Sequence, residues 1–553
     1  MTRAIFFVPL IFAAMLHISL ADPDEVEKLK LQANIDRSAF FDVELLQELS
    51  KLPGVGHGNV LLSPISIKLA LGMLWEGAGP YAAHEIRLAL RLPENRQEVQ
   101  TYFSSVLRSL QGKSSGPGYT LDLANRLYVT DSLLPTDDRR NNTQSNRVSG
   151  TNRPSTSSGA NRNPAATSSS SKPQPTRPAN QASRPNTPTH RPHPAPVLEP
   201  NFVRAITLYY GAEVTFADFS KSSETAAAIN GWASDVTHGL IPEIVSPDAV
   251  SPDTQLFLGN VVYFKGAWEY AFNPQNSKPG TFYLPSGDEF QATMMEQLNY
   301  FKYAEIDGLN AKALELPYEG NKFAMLLLLP NERQGMAQML RDLPHNPLSS
   351  IVAQLELREV QVAIPRFQAD FNLDMVAPLR SLGIEHIFLS LEGSLPGIST
   401  RVPLKVDGIQ HTVKIIVNEQ GSEAAGATGI LVVPLMGASV PKFEADHSFL
   451  FFIRDLETGA FLFAGKMAHP HSTGAGHAIS SQGNPSARPV SQQEEQAISS
   501  IFKNPGQTAP TTSPPKRGAN YLPPSQTAHS SQRRGRMAFY PGVRYEDFLV
   551  FEQ

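Results

Sequence analysis

Glu419-Gln420-Gly421-Ser422-Glu423-Ala424-Ala425-Gly426-Ala427-Thr428-Gly429 reads both as a loop and as a strand. It follows a largely β-branched run at residues 412–417 and passes into the apolar residues 430–436, with no charge between Glu423 and Lys442. A segment of this composition can stand exposed, yet most of its side chains are small enough to slide between two strands without steric cost. The sequence therefore permits a loop that becomes a strand. The same composition also describes a flexible linker.

Working outward, the chain of 553 residues divides by composition. Residues 33–52 carry apolar side chains at helical spacing and end in a Pro-Gly-Val-Gly break, 59–62 read as a short strand, and Ser63-Pro64 as a helix start. The nearly all-apolar 65–75 must then be a buried helix, with further helices at 82–92 and 95–110 and an alternating strand at 119–129. Residues 136–198 turn to Ser, Thr, Asn, Arg and Pro, with too little apolar surface to offset ordering entropy, so they read as a disordered insert. Periodicity resumes at Phe202 and holds to Pro470, with strands at 256–264, 313–316, 323–329, 360–364, 412–417 and 449–453. A second low-complexity extension covers 471–553 and ends in an apolar segment after Arg533-Arg534-Gly535-Arg536. One mixed domain, 22–135 joined to 199–470, is expected.

At the other end, Arg3, an apolar run and Ser19-Leu20-Ala21 make residues 1–21 a signal peptide, implying secretion to the extracellular space. His17 interrupts that run and no later segment is long enough to span a bilayer, so no membrane partner is expected. A net charge of −5 offers no surface of the kind that neutralises phosphates, which disfavours nucleic acid. With no cysteine the fold must rest on a large hydrophobic core, and neither a thiol nucleophile nor a cysteine metal site is possible. No nucleophile elbow, His-Glu-x-x-His or phosphate-binding loop occurs; Gly459 to Lys466 fails the last by spacing, with Met467 where a hydroxyl belongs. No enzyme, cofactor or metal is expected. Asn141-Asn142-Thr143 is the single N-glycosylation sequon, so Asn141 is the expected glycan site.

The 419–429 stretch resembles the reactive-loop hinge of the serpins, Glu-x-Gly-Thr/Ser-Glu-Ala-Ala-x-Ala-Thr. The likeness extends along the body. Asn59-Val60-Leu61-Leu62-Ser63-Pro64-Ile65-Ser66 resembles the entry to helix B, and Ile229-Asn230-Gly231-Trp232 with Thr237-His238-Gly239 the helix F region. Asn260-Val261-Val262-Tyr263-Phe264-Lys265-Gly266-Ala267-Trp268 resembles strand 3A, Pro365-Arg366-Phe367 part of strand 6A, and Phe461-Leu462-Phe463-Ala464-Gly465-Lys466 the last buried strand. The resemblance implies an α+β serpin fold, about nine helices around three β-sheets with an exposed reactive-centre loop at about 419–441. It also implies a monomeric suicide inhibitor whose partner is a target serine protease, held in a covalent acyl-enzyme complex after the cut loop enters sheet A. A non-inhibitory serpin acting as a carrier, storage or structural protein is the alternative.

By the same resemblance the hinge is Gly421, Ser422, Glu423, Ala424, Ala425, Gly426 and Ala427. Ser63, Ser66, Asn260 and His411 resemble the polar shutter under the middle of sheet A. Trp268, Arg366 and Glu419 resemble the breach at its top, with an Arg366–Glu419 ion pair implied. The family's spacing of sixteen from the hinge glutamate gives Leu435 and Met436 as the reactive-centre bond, which suits chymotrypsin-like or elastase-like proteases rather than trypsin-like ones. Three positions depart from the pattern: Asp407 and Thr412 stand where Ser and Lys are usual, and Gly426 where alanine would suit a strand better.

Overall fold

In this computed structural model the described residues are 23–53, 55, 57–111, 115–116, 118–134, 197–391, 393–421 and 440–470. The expected signal peptide, Asn141, hinge residues Ser422 to Ala427, the pair Leu435 and Met436, and the extension from 471 lie outside them, as does nearly all of the insert.

The helix α2 (Pro64–Gly77) explains why the chain folds around it. Pro64 presets its first turn, and every side chain from Pro64 to Gly77 is buried, Lys68 and Glu76 included. β1 (Val60–Leu62) leads into it, and against it pack α1 (Pro23–Lys51), α3 (Pro80–Leu90) and, through Phe103 beside Gly72, α4 (Arg96–Gln111). The first helix starts ten residues earlier than periodicity indicates, because its Glu- and Lys-rich opening turns face solvent and carry no apolar stripe.

One sheet holds β2 (Ser115–Gly116), β3 (Tyr119–Thr130), β4 (Glu213–Ala217), β5 (Leu256–Gly266), β11 (Phe367–Asp374) and β12 (Val406–Val417), in the order β11-β12-β5-β3-β2 with β4 beside β3. The helix α5 (Pro200–Tyr210) makes the crossover from β3 to β4, burying Phe202, Ile206 and Tyr210. Then α6 (Ser222–Val236) runs over the outer face of the sheet and stops at Thr237, after which His238 and Gly239, with φ of 53° and 84°, turn the chain back.

The second sheet runs β1-β15-β14-β9-β8-β7-β10-β13, with β6 beside β7. Its strands are β6 (Lys278–Tyr283), β7 (Glu289–Ile306), β8 (Ala311–Pro317), β9 (Phe323–Pro330), β10 (Glu356–Pro365), β13 (Lys442–Glu444), β14 (Phe449–Asp455) and β15 (Phe461–Met467). The second and third sheets of the expected fold run into one another through β7, whose first third pairs with β6 and whose last residues pair with β8. With α7 (Met336–Asp342), α8 (Leu348–Ala353) and α9 (Val376–Ser381) the described residues contain nine α-helices. The fold is α+β, and none of the described helices is long and apolar enough to cross a membrane.

Candidate functional site

The site is the seam between β5 and β12. These strands are parallel neighbours, paired from Val406↔Leu256 to Lys414↔Tyr263 with a one-residue shift at Asp407, and among the described residues their ladder goes no further although both strands continue. Ile415, Ile416 and Val417 pair with β11 alone among the described strands.

Beyond Val417 the chain reverses. Asn418 and Gly421 exchange reciprocal backbone bonds, Asn418 N–H to Gly421 O at 3.1 Å and Gly421 N–H to Asn418 O at 3.2 Å, leaving Glu419 and Gln420 at the turn. Gly421 has φ of 94°, and a Cβ there would lie 2.2 Å from Gly266 O and 2.5 Å from Ala267 Cα, so only glycine fits. Gly421 then forms an antiparallel bridge to Ala267, just past the end of β5. The chain is thus aimed back along the seam.

Three backbone carbonyls of the turn are held: Asn418 O by Trp268 Nε1 at 3.0 Å, Gln420 O by Trp268 N–H at 3.2 Å, and Glu419 O by Phe272 N–H at 2.8 Å. The Trp268 ring stacks on Tyr318 with centroids 4.5 Å apart. Arg366 Nη2 donates to Glu419 Oε1 at 2.6 Å, and Ser277 Oγ donates to the same oxygen at 2.7 Å. Burial alone would raise the Glu419 carboxyl, but the bonds from Arg366 and Ser277 and the guanidinium charge outweigh it, and the net shift is downward. Glu419 is only 5% exposed, so the Arg366–Glu419 pair is partly sequestered rather than a solvated surface pair.

Halfway down, His411 and Asn260 face each other across the seam as a register pair. Ser63 N–H donates to His411 Nε2 at 3.0 Å. A backbone N–H can only donate, so Nε2 is a bare acceptor, the proton sits on Nδ1, and Nδ1–H is given to Asn260 Oδ1. Asn260 Nδ2 in turn donates to Ser66 Oγ and to Asn125 Oδ1, each at 2.5 Å. All of these groups are buried, and burial drives the His411 imidazole down to about 3, keeping it neutral. Ser63 takes part through its backbone, since Ser63 Oγ makes no hydrogen bond among the described residues.

Asn125 was not singled out from the sequence, although a signal existed: it occupies an inward slot of the β3 alternation between Leu123 and Leu127. Ser277 carried no such signal. Of the two departures near the seam, Asp407 accepts Gln255 N–H at 2.7 Å, and Thr412 faces outward, donating to Asn372 Oδ1 at 2.8 Å.

A hydrogen-bonded seam, a neutral histidine and an anchored hairpin thus meet between β5 and β12. The sequence matches the model of the family Serpin (serine protease inhibitor) over residues 36–149 and 194–470. It is 33% identical to human neuroserpin over 447 residues, 78% of this chain and 93% of that one. To serine protease inhibitor 2 of Anopheles gambiae it is 35% identical over 441 residues, 78% and 91% of the two chains. Serpin48 of the insect Tenebrio molitor has the same fold, with a TM-score of 0.59 at 24% identity over 81% of this chain and 99% of that one. The chain belongs to the serpin family, whose model describes serine protease inhibitors.

Proposed function

We propose that this chain is a secreted, monomeric inhibitor that traps a serine protease by inserting its cut loop into the β5–β12 seam. The observation that carries the reading is the Asn418–Gly421 hairpin, which delivers Gly421 to an antiparallel bridge at the mouth of a ladder that stops at Lys414↔Tyr263. Continuing that register places Ser422 opposite Gly266 and Thr428 opposite Asn260. Even-numbered loop residues then face inward, as Asn260, Val262 and Phe264 do. A strand inserted in this sense is antiparallel to both neighbours, so one parallel ladder is exchanged for two antiparallel ones, the slightly more stable pairing.

The chemistry belongs to the protease. Its serine oxygen attacks the Leu435 carbonyl carbon, the amide bond to Met436 breaks, and the Met436 amine leaves with a proton, giving an ester between the loop and the enzyme. Insertion then carries the ester away from the hairpin before water can cleave it. In this reading His411, Asn260, Ser66 and Ser63, joined by Asn125, form the shutter that parts, while Trp268, Arg366 and Glu419, joined by Ser277, form the breach that holds the hinge. Leu435 selects a chymotrypsin-like or elastase-like target.

Incubation of the purified protein with chymotrypsin tests this. An SDS-stable adduct, with release of the peptide beginning at Met436, is expected. Cleavage without adduct would mean a carrier or structural serpin.

A further inference from the structure

On the outer face of the sheet, α6 and the segment that follows it behave as one body. Asn230 on the helix accepts from Ile244 N–H at 2.9 Å and Val245 N–H at 3.0 Å and donates to Val245 O at 2.9 Å. Ile229, Trp232 and Ala233 of the helix share an apolar cluster with Ile241, Ile244 and Val245. This body is seated on the β3 and β5 side of the seam. Trp232 packs on Tyr128 with centroids 6.2 Å apart, and a Cβ at Gly259 of β5 would lie 2.8 Å from its ring. The Arg126 guanidinium lies 5.2 Å above the Trp232 ring, and His238 Nε2 lies 3.5 Å from Asp122 Oδ2.

The same body is also tied to the far side. Asn372 on β11 donates from Nδ2 to Ile244 O at 3.0 Å, with its Oδ1 held by Thr412 Oγ1 at 2.8 Å and by Gln410 Nε2, both on β12. The tie therefore spans the seam from above: its acceptor moves with β3 and β5, its donor with β11 and β12. Inserting one strand moves the two sides about 4.8 Å apart. A 3.0 Å hydrogen bond cannot follow that displacement. The apolar seat on β3 and β5 is far larger than a single bond, so the Asn372 end is the one that lets go.

We propose that Asn372 is a positioning residue for loop insertion, a strap across the outer face whose bond to Ile244 O exists only while the seam is closed and must break before the loop can enter. It thereby slows both productive insertion and any opening that occurs without a protease. The proposal rests on the insertion reading above.

Asn372→Asp is the sharp variant, because the carboxylate still accepts from Thr412 and Gln410 but cannot donate to Ile244 O. The test compares thermal midpoints of the intact protein and of the protein cut in its loop by papain, together with the rate at which intact protein loses chymotrypsin-trapping activity on warming. The intact variant should melt lower and lose activity roughly fivefold faster, as loss of one ordinary hydrogen bond implies. The cut variant should melt where cut wild type does, since its tie is already broken. Thr412→Val provides the contrast, because its bond joins two strands that move together, and it should lower both forms alike. Equal losses in intact and cut Asn372→Asp, or no loss in either, would overturn the strap. A wild type that forms no adduct and gains no stability on loop cleavage would instead sink the insertion reading, and the strap with it.

Discussion

At the scale of single residues, His411 ties acidity to stability. Its Nε2 is committed to a backbone N–H, so a second ring proton would face a donor, and the folded protein resists protonation down to a pH of about 3. The unfolded chain takes up that proton at an ordinary histidine value near 6.5. Between those two values the unfolded state binds one more proton than the folded state, so stability falls as pH falls, and nothing is lost above the upper value. From pH 7.5 to 5.5 the contribution is about 1.4 kcal/mol. Urea unfolding at the two pH values should show a decline smaller by that amount in His411→Asn than in wild type; equal declines would refute the neutral-histidine account. Gly421 supports a second expectation. A methyl group there meets Gly266 O at 2.2 Å on a backbone with φ of 94°, so Gly421→Ala should lower native stability by roughly 1–3 kcal/mol and weaken adduct formation with chymotrypsin. A variant with wild-type melting and trapping would show that the hairpin does not position the loop.

At the scale of elements, the proposed insertion turns even-numbered loop residues inward and would make the first entering residue decisive. Ser422 would follow Gly421 into the sheet opposite Gly266, on the face toward the core. Ser422→Arg would carry an unpartnered guanidinium into that space, which costs several kcal/mol, so the variant should be cut by chymotrypsin without forming an adduct. Retained trapping on a denaturing gel would count against insertion in this register. Of the strands on either side of the seam, β5 was legible because it is apolar except at Gly259, Asn260, Lys265 and Gly266, whereas only the β-branched 412–417 of β12 was, its first half being broken up by Asp407, Gly408 and Gln410. A central strand buried on both faces, as β5 is, has that signature. β7 was not legible: its burial alternates irregularly, because a single strand pairs with β6 at one end and β8 at the other and so serves two neighbourhoods in turn. The cluster residues Ser66 and Asn260, carried by quoted motifs, and His411, named from the resemblance alone, are brought together by the fold. Asn125 left only a polar letter in an apolar slot. Ser277 and Asn372 are surface-type residues in unremarkable contexts, and their contacts arise from tertiary packing that no local pattern records.

At the scale of the whole molecule, the unusual feature is the long insert in the connection from β3 to α5. β3 and β4 are parallel neighbours, in register from Arg126↔Glu213 to Thr130↔Ala217, and a parallel pair needs a crossover, which α5 supplies through Phe202, Ile206 and Tyr210. Both edges of the insert are fastened to the body independently of it. Thr130 N–H bonds Gln255 O at 2.9 Å and Leu134 N–H closes the short turn onto Asp131 O, while Glu199 N–H bonds Ile398 O at 3.0 Å and Pro200 opens the helix. The family match breaks off within the expected insert, ending at residue 149 and resuming at 194. Replacing 136–195 with a Gly/Ser linker of about twelve residues shortens the closed loop roughly fivefold, which by chain entropy stabilises the fold by about 1.4 kcal/mol. The shortened protein should melt at or slightly above the wild-type midpoint, form the chymotrypsin adduct at an unchanged rate, and show no mobility shift with endoglycosidase, having lost Asn141. Failure to fold would place the insert inside the cooperative unit. A persisting shift would mean that the chain carries an N-glycan at a position with no sequon.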